Sequence, residues 1–299
     1  MLGSFRELQE KVKGAQRRRL AVVGAAHSST LRAVEMARSA GLVDALLFGP
    51  AAEIEAAAKK AGVDLSPFEL RDTEGEAEIA AAAVNAIRSG EAAMLMKGSV
   101  GTGTVLKAVL DKEKGLRSGK LLSHIAGLEV PGCGRLLWVT DGGLNIRPDQ
   151  ATKAEILSNA VSALKRLGYE RPRVAVLAAV EQVNPDMPET LDAAALAQMG
   201  ARGQFGDCEV DGPLALDLAV DAEAARIKGV TSPVAGKADI LLVPDIHTGN
   251  IFAKGLIYLG GAKVGGMVAG AAAPIVLLSR ADTTETKLNS IALCTAAAE

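Results

Sequence analysis

The strongest constraint on the fold is a series of short apolar runs that recur along the chain with alanine-rich segments between them. The runs are Leu20–Val23, Val43–Phe48, Ala93–Met96, Leu136–Val139, Val174–Leu177, Ile240–Val243 and Ile275–Leu278. Strands that are apolar at nearly every position are typical of parallel sheets covered by helices on both faces. The sequence therefore predicts an α/β fold.

One of the intervening helices has clear boundaries. Asn145 and Pro148 precede a segment that ends at Gly168. Its apolar residues recur at helical spacing and share one face: Ile156, Ala160, Leu164 and Leu167. A proline before such a segment and a glycine after it are common helix boundaries, so we predict an amphipathic helix here.

The length of 299 residues allows two domains. The polar stretch Asp111–Lys120 interrupts the apolar rhythm, and five glycines lie within 260–270. We therefore predict a first α/β domain made of both chain ends, 1–122 and 272–299, and a second α/β domain, 123–271.

Charge and aromatic content exclude several classes of partner. The net charge is −2 and the aromatic content is 3%. The chain therefore has no general attraction for nucleic acid or for an anionic membrane, and it has few rings on which bases can stack. We expect a small-molecule ligand.

The cysteines and the N-terminal residues point to a reducing compartment. Cys133, Cys208 and Cys294 are far apart and odd in number, which does not suggest a disulfide framework. Met1–Leu20 lacks the apolar core of a signal peptide, and no uncharged apolar run reaches the length of a membrane span. We predict a cytoplasmic protein.

The last apolar run leads into an anion-binding pattern. It is followed by Ser279, Arg280 and then the start of a helical pattern. A hydroxyl, a forked cation and the free N–H groups of a helix end converge there, which favours a phosphorylated ligand. Asp282 and Glu285 also fit a capping box, in which they only satisfy helix donors.

Ligands in open parallel sheets bind at the carboxyl ends of strands, and other loops at such ends carry polar groups. Lys97–Thr104 is rich in glycine and hydroxyls and precedes a helix containing Lys107; Asp245–Asn250 and Gly24–Thr30 follow two further strands. The first loop has neither the Walker order nor G-x-G-x-x-G, and its glycines also fit simple tight turns. The three histidines stand apart from one another, so we predict no metal site.

Several blocks, in order from about Leu95 to the C-terminus, resemble the phosphate acetyl/butyryltransferase family, and in particular its butyryltransferase branch. They are Lys97–Ser99, Glu129–Gly132, Thr140–Ile146, Val183–Pro188, Asp211–Ala215, Lys228–Gly236, Val243–Asp245 with Gly249–Asn250, and Ser279–Asp282. The resemblance implies reversible transfer of a short, butyryl-like acyl group between coenzyme A and inorganic phosphate. Acyl-CoA, phosphate and acyl phosphate are then its substrates and products, and coenzyme A is a substrate rather than a cofactor.

The resemblance also implies an architecture. Family members have two three-layer α/β/α domains, similar to those of isocitrate and isopropylmalate dehydrogenases, with the active site in the interdomain cleft. They are commonly dimers or larger oligomers, so we expect a homo-oligomer.

Residue roles follow from the same resemblance. The family's Ser-Arg pair corresponds to Ser279 and Arg280, and its aspartate and asparagine correspond to Asp245 and Asn250. The family also has a basic residue near the position of Lys107. We expect Ser279, Arg280 and Asp245 to be catalytic. The remaining residues are expected to bind substrate: Lys97, Gly98, Ser99, Thr102, Lys107, Asn250 and Asp282.

The group that deprotonates the thiol is open at this stage. Acetyltransferase members have an aspartate seven residues after the serine, where this chain has Thr286. Glu285, Asp282 and Asp245 are the alternatives. Three other functions also remain: an acetyl-preferring transferase, a non-catalytic protein that binds coenzyme A or acyl phosphate, and a decarboxylating dehydrogenase, for which the carboxylates are too scattered.

Overall fold

A computed structural model describes residues 2–13, 17–279 and 282–298. Its strands, numbered along the chain, are β1 (Arg18–Val23), β2 (Val43–Gly49), β3 (Glu69–Asp72), β4 (Met94–Lys97), β5 (Ser123–Glu129), β6 (Leu136–Thr140), β7 (Arg173–Leu177), β8 (Glu209–Leu214), β9 (Ile240–Leu242), β10 (Lys263–Ala269) and β11 (Ile275–Val276). Its helices are α1 (Phe5–Val12), α2 (Ser28–Ser39), α3 (Ala51–Ala61), α4 (Glu76–Arg88), α5 (Thr102–Val109), α6 (Gln150–Arg166), α7 (Pro188–Ala201), α8 (Leu216–Val220), α9 (Ala222–Ile227), α10 (Ile246–Tyr258) and α11 (Thr284–Ala297). The α/β class and all seven strands predicted from apolar runs are confirmed.

The described residues divide into two compact units. The flanking unit contains residues 5–120 and 264–299, and the central unit contains the first four residues and 121–263. The predicted boundaries lay at 122/123 and 271/272. The difference arises because β10 pairs with β11 of the flanking unit, and because the N–H of Leu136 donates to the carbonyl of Leu2.

The flanking unit has the strand order β3-β2-β1-β4-β11-β10. Neighbouring strands are parallel except for the β10/β11 pair. Helices α1, α11, α2 and α3 pack in one group, and α4 packs with α5 in another. Since β4 is buried at all four positions, both faces of its sheet are covered. This unit therefore has three layers.

The central unit has the strand order β5-β6-β9-β7-β8, with only β5 and β6 antiparallel. Its predicted helix is confirmed as α6, which buries Ile156, Ala160 and Leu164 and contacts β5 and β6. The helix begins directly after Pro148, where Asp149 caps it by accepting from the N–H of Thr152.

Within the described ranges, no helix combines the length and the apolar character required to cross a bilayer.

Candidate active site

Three parallel strands of the flanking unit end side by side. Val23 of β1 pairs with Lys97 of β4, and Val276 of β11 pairs with Met96 of β4. Ser99 and Ser279 are therefore each three residues beyond the paired Met96 and Val276. The register brings the loop after β4 and the turn after β11 to the same edge of the sheet, as expected for a ligand site in a parallel sheet.

Two glycines allow the first of these loops to lie against its neighbour. The Gly98 N–H donates to Val23 O at 2.9 Å, and a β-carbon at Gly98 would fall on the carbonyl oxygen of Gly24. That same carbonyl accepts from the N–H of Ser99 at 2.7 Å and from its Oγ at 3.1 Å. Gly98 thus fixes the loop by close backbone approach, and the Ser99 hydroxyl must leave a backbone carbonyl before it can donate to an anion.

Lys97 is the last residue of β4 and is only 6% exposed. Its Nζ donates to the carbonyl of Gly98 at 3.2 Å. The ammonium places a positive charge at this loop. The location is consistent with the predicted role in anion binding.

The helix after the glycine-rich loop places two predicted residues apart. Thr102 begins α5, whereas Lys107 lies in its last turn, and both are exposed. Five residues correspond to about 140° of rotation around a helix, so the two side chains leave on different faces. The structure does not bring Lys107 to Thr102, and their roles stay predictions.

The N-terminus of α5 already faces a carboxylate, which sequence reasoning missed. Glu76 Oε2 accepts from the N–H of Gly101 and from Thr104 Oγ1, each at 3.3 Å. A negative charge is favourable at a helix N-terminus, but it repels a second anion there. A phosphate at this edge is therefore better placed near Lys97 than at the end of α5.

The turn after β11 is held by Asp282. Its Oδ2 accepts from the N–H of Ser279 at 2.7 Å, while its own N–H donates to Ser279 O at 3.2 Å. Arg280 lies outside the described residues. The expected capping box is corrected, because Thr283 rather than Asp282 caps α11 by accepting from the N–H of Thr286.

Lys287 adds a buried cation that sequence reasoning also missed. It is 3% exposed, and its Nζ donates to the carbonyl of Asp282. Burial lowers the pKa of the Lys287 ammonium, and the charge of Asp282 only partly opposes this shift. Lys287 and Asp282 together tie α11 to the turn that carries Ser279.

In the central unit, Asp245 caps α10 and accepts from the N–H of Thr248 at 2.8 Å. Burial raises the pKa of Asp245, but hydrogen bonds from the backbone and side chain of Thr248 outweigh burial, and the net pKa lies below its ordinary value. A carboxylate with a lowered pKa is a weak proton acceptor, so this environment does not favour Asp245 as the thiol base.

Asn250 lies one turn along α10 and reaches the loop after β6. Its Nδ2 donates to Gly142 O at 3.3 Å. The two segments touch through glycines, since a β-carbon at Gly249 would lie 2.8 Å from the Cα of Gly142. Asp245 and Asn250 belong to the central unit, whereas the other predicted site residues belong to the flanking unit.

Asp141 organises the loop that Asn250 contacts. This carboxylate is 2% exposed and accepts four hydrogen bonds. The donors are the N–H groups of Gly143, Leu144 and His124 and the side-chain amide of Asn145. The block Thr140–Ile146 signalled the segment, but the four donors converge on Asp141 only in the folded chain.

Metal coordination has no candidate in the part of the chain that the structure describes: no three His, Cys, Asp or Glu side chains are grouped to hold an ion.

Comparison with known proteins assigns the family. Residues 77–295 match the family described as phosphate acetyl/butaryl transferase. The phosphate butyryltransferase of Clostridium acetobutylicum is 47% identical over 98% of this chain and 97% of its own length. The phosphate acetyltransferase of Thermotoga maritima is 41% identical over 96% of this chain and 97% of its own length.

A solved structure agrees with these matches. The branched-chain phosphotransacylase from Enterococcus faecalis superimposes with a TM-score of 0.83 and 33% identity, covering 94% of this chain and 100% of that one. The resemblance seen in the sequence blocks is thus confirmed, and this chain belongs to the phosphate acetyl/butyryltransferase family.

Proposed function

We propose that this protein is a phosphate acyltransferase that moves a short acyl group reversibly between coenzyme A and inorganic phosphate. The observation that carries the proposal is the parallel pairing of β4 with β11, which puts the Lys97 loop and the Ser279 turn at one sheet edge. The full-length similarity to a phosphate butyryltransferase supports a butyryl-like substrate. The similarity to a phosphate acetyltransferase makes an acetyl preference the second candidate.

The chemistry requires donors where negative charge develops. A phosphate oxygen attacks the thioester carbonyl carbon, a tetrahedral oxyanion forms, the carbon–sulfur bond breaks and the thiolate leaves. In the opposite direction the thiolate attacks the acyl phosphate and phosphate leaves. Preorganised donors and cations stabilise both charged states.

The chain's residues suit those positions as follows. Arg280 binds two phosphate oxygens through its fork, and Ser279 donates to the oxyanion or to phosphate. Lys97 supplies a partly desolvated cation, and Gly98 holds it against the sheet edge. The other proposed contacts to substrate are Ser99, Thr102, Lys107, Asn250 and Asp282.

The thiol base is proposed to come from the turn after β11. A coenzyme thiol with an ordinary pKa near 8.5 needs only a modest base or neighbouring cations. Asp282 lies in this turn, and Glu285 lies in the first turn of α11. Asp245 is the weaker alternative, because hydrogen bonds from Thr248 stabilise its charged form.

The family resemblance extends the proposal to architecture and location. The proposed architecture is similar to that of isocitrate and isopropylmalate dehydrogenases, with the active site between the domains. A cytoplasmic location and a homo-oligomer, a dimer or larger, are also part of the proposal. The oligomer is supported by apolar side chains exposed on α10 and directly after it, where Ile251, Tyr258 and Leu259 are 71%, 74% and 91% exposed. Light scattering of the purified protein tests the oligomer.

The activity test is the release of free coenzyme A from acetyl-, propionyl-, butyryl- and isobutyryl-CoA, with and without phosphate and without added metal. We expect phosphate-dependent release that is fastest with a four-carbon acyl group. Fastest release from acetyl-CoA supports the second candidate. Binding of coenzyme A without release of thiol from any substrate overturns the proposal in favour of a non-catalytic binding protein.

A further inference from the structure

The central unit contains a cavity of about 460 Å³ to which no part of the substrate has been assigned. This volume falls within the usual range for small-molecule sites, about 300–1,000 Å³. The cavity lies where β7 and β9 end, the edge at which parallel sheets bind ligands. Its wall consists of Leu177, Ala178, Ala179, Met187, Glu189, Thr190, Leu216, Val243, Pro244, Asp245, Thr248 and Phe252.

The charges of the wall exclude the phosphorylated parts of coenzyme A. Glu189 and Asp245 are carboxylates, and no lysine, arginine or histidine is among the described residues of the wall. A phosphate placed there would meet like charges and no cation. The adenosine and pyrophosphate end of coenzyme A is therefore a poor occupant.

Several polar groups of the wall are also engaged already. Thr190 Oγ1 accepts from the N–H of Asn184 at 2.9 Å and lies 2.7 Å from the carbonyl of Met187. The N–H of Thr248 donates to Asp245. An amide-rich ligand such as the pantetheine arm needs free partners, whereas an alkyl chain needs only the apolar surface that the other wall residues provide.

We infer that this cavity holds the alkyl chain of the acyl group and sets the chain-length preference. The inference rests on the proposed function and deepens it. Asp245 connects the two, because this residue belongs both to the cavity wall and to the family's site pattern. An acyl carbonyl near Asp245 then directs its methylenes between Ala178 and Phe252.

Chain length is the property that such a pocket controls. One methylene in an apolar pocket changes kcat/KM by about 10–200-fold. The volume of the cavity leaves room for more than four carbons, so activity should extend to branched and six-carbon acyl groups.

Two opposite changes to the wall test the inference. Ala178→Leu narrows the cavity, and we expect it to lower the butyryl/acetyl ratio of kcat/KM by about tenfold or more while acetyl-CoA turnover is largely kept. Phe252→Ala enlarges the cavity and should shift the preference toward hexanoyl-CoA. Lys254→Ala is the control: Lys254 is exposed on α10, the helix of Phe252, and is not part of the cavity wall, so this variant should leave the butyryl/acetyl ratio unchanged.

A binding measurement separates this inference from the proposed function. Calorimetry with coenzyme A, acetyl-CoA and butyryl-CoA needs no turnover. Tighter binding of butyryl-CoA that Ala178→Leu abolishes supports the inference, even if the protein proves inactive. The inference is overturned if both wall variants keep the kcat/KM ratios between acyl-CoA substrates and the affinities of the wild type. An equal loss of affinity for coenzyme A, acetyl-CoA and butyryl-CoA also overturns it, because the cavity would then hold the pantetheine arm.

Discussion

The two units expose different chemistry where their strands end. In the flanking unit, strands β4 and β11 lead to Lys97, Ser99 and Ser279, the residues proposed to donate to an anion. In the central unit, β7 and β9 lead into an apolar cavity that bears two carboxylates and, among its described residues, no cation. In the proposed function the phosphate binds at the first edge and the alkyl chain at the second, so changes at the two edges should alter different kinetic parameters.

The largest effect is expected from Arg280→Ala. Loss of the guanidinium removes the proposed partner of the phosphate, and turnover should fall about a hundredfold or more. Steady-state kinetics should show an unchanged butyryl/acetyl ratio, and circular dichroism an unchanged fold. Arg280→Lys keeps the positive charge but loses the guanidinium that binds two oxygens at once, so its turnover should lie between those of the wild type and Arg280→Ala. Near-normal turnover would remove Arg280 from the reaction.

A second prediction concerns the backbone contact at the flanking edge. Gly98→Ala places a methyl group on the carbonyl of Gly24, which is backbone and cannot rotate away. The free energy of unfolding in urea should fall by about 3 kcal/mol, the upper end of overpacking costs. Gly103→Ala is the matched control, since its new methyl group meets no described heavy atom within 4 Å other than those of its chain neighbours and its own helix backbone. Equal stabilities of the two variants would show that the loops do not touch.

A third prediction addresses the central edge. In Asp141→Asn, one amide oxygen faces four donors, so buried N–H groups lose their acceptors. We expect unfolding in urea to become easier by about 2 kcal/mol. Asp149→Asn should change stability by only a few tenths of a kcal/mol, because asparagine caps helices about as well as aspartate. The prediction fails if both variants behave alike.

The smallest effect is a pH dependence at Lys287. Its folded pKa lies below the ordinary value of 10.5, so in the window below pH 10.5 the unfolded chain binds more protons than the folded chain. The wild type should therefore gain stability relative to Lys287→Met as pH rises, by at most about 1.4 kcal/mol per pH unit for one proton. Denaturation series at several pH values measure the slope, with Lys254→Met as the baseline. A stability difference between the wild type and Lys287→Met that falls or stays constant as pH rises contradicts the prediction.

The central strands of each unit were predictable because burial on both faces leaves an unbroken apolar run. The strands that the sequence did not predict are β3, β5, β8 and β10, and each of them is outermost in the strand order of its unit. Their sequences carry polar residues or interruptions, such as Gly212-Pro213 in β8 and Gly265-Gly266 in β10, which resemble loops.

The same limit applies to the candidate site. Lys97 and Ser279 directly follow apolar runs, and Asp245 is separated from one only by Pro244, so their position in the sequence revealed them. Asp141 and Glu76 are recognisable only through contacts between segments that are distant in the sequence. Lys287 is recognisable only through its burial, which the sequence does not predict for a charged side chain. Sequence position thus finds residues at strand ends, whereas tertiary contacts are needed to find those that hold them.

The return of the chain to the flanking unit has a consequence for biosynthesis. β4 is translated early, but its neighbour β11 leaves the ribosome only after the whole of the central unit. Domains generally fold as they emerge, so the central unit can be complete while β4 still has an unpaired side. The proposed anion-binding edge is consequently assembled last, and a prematurely terminated chain has the apolar cavity but no Ser279.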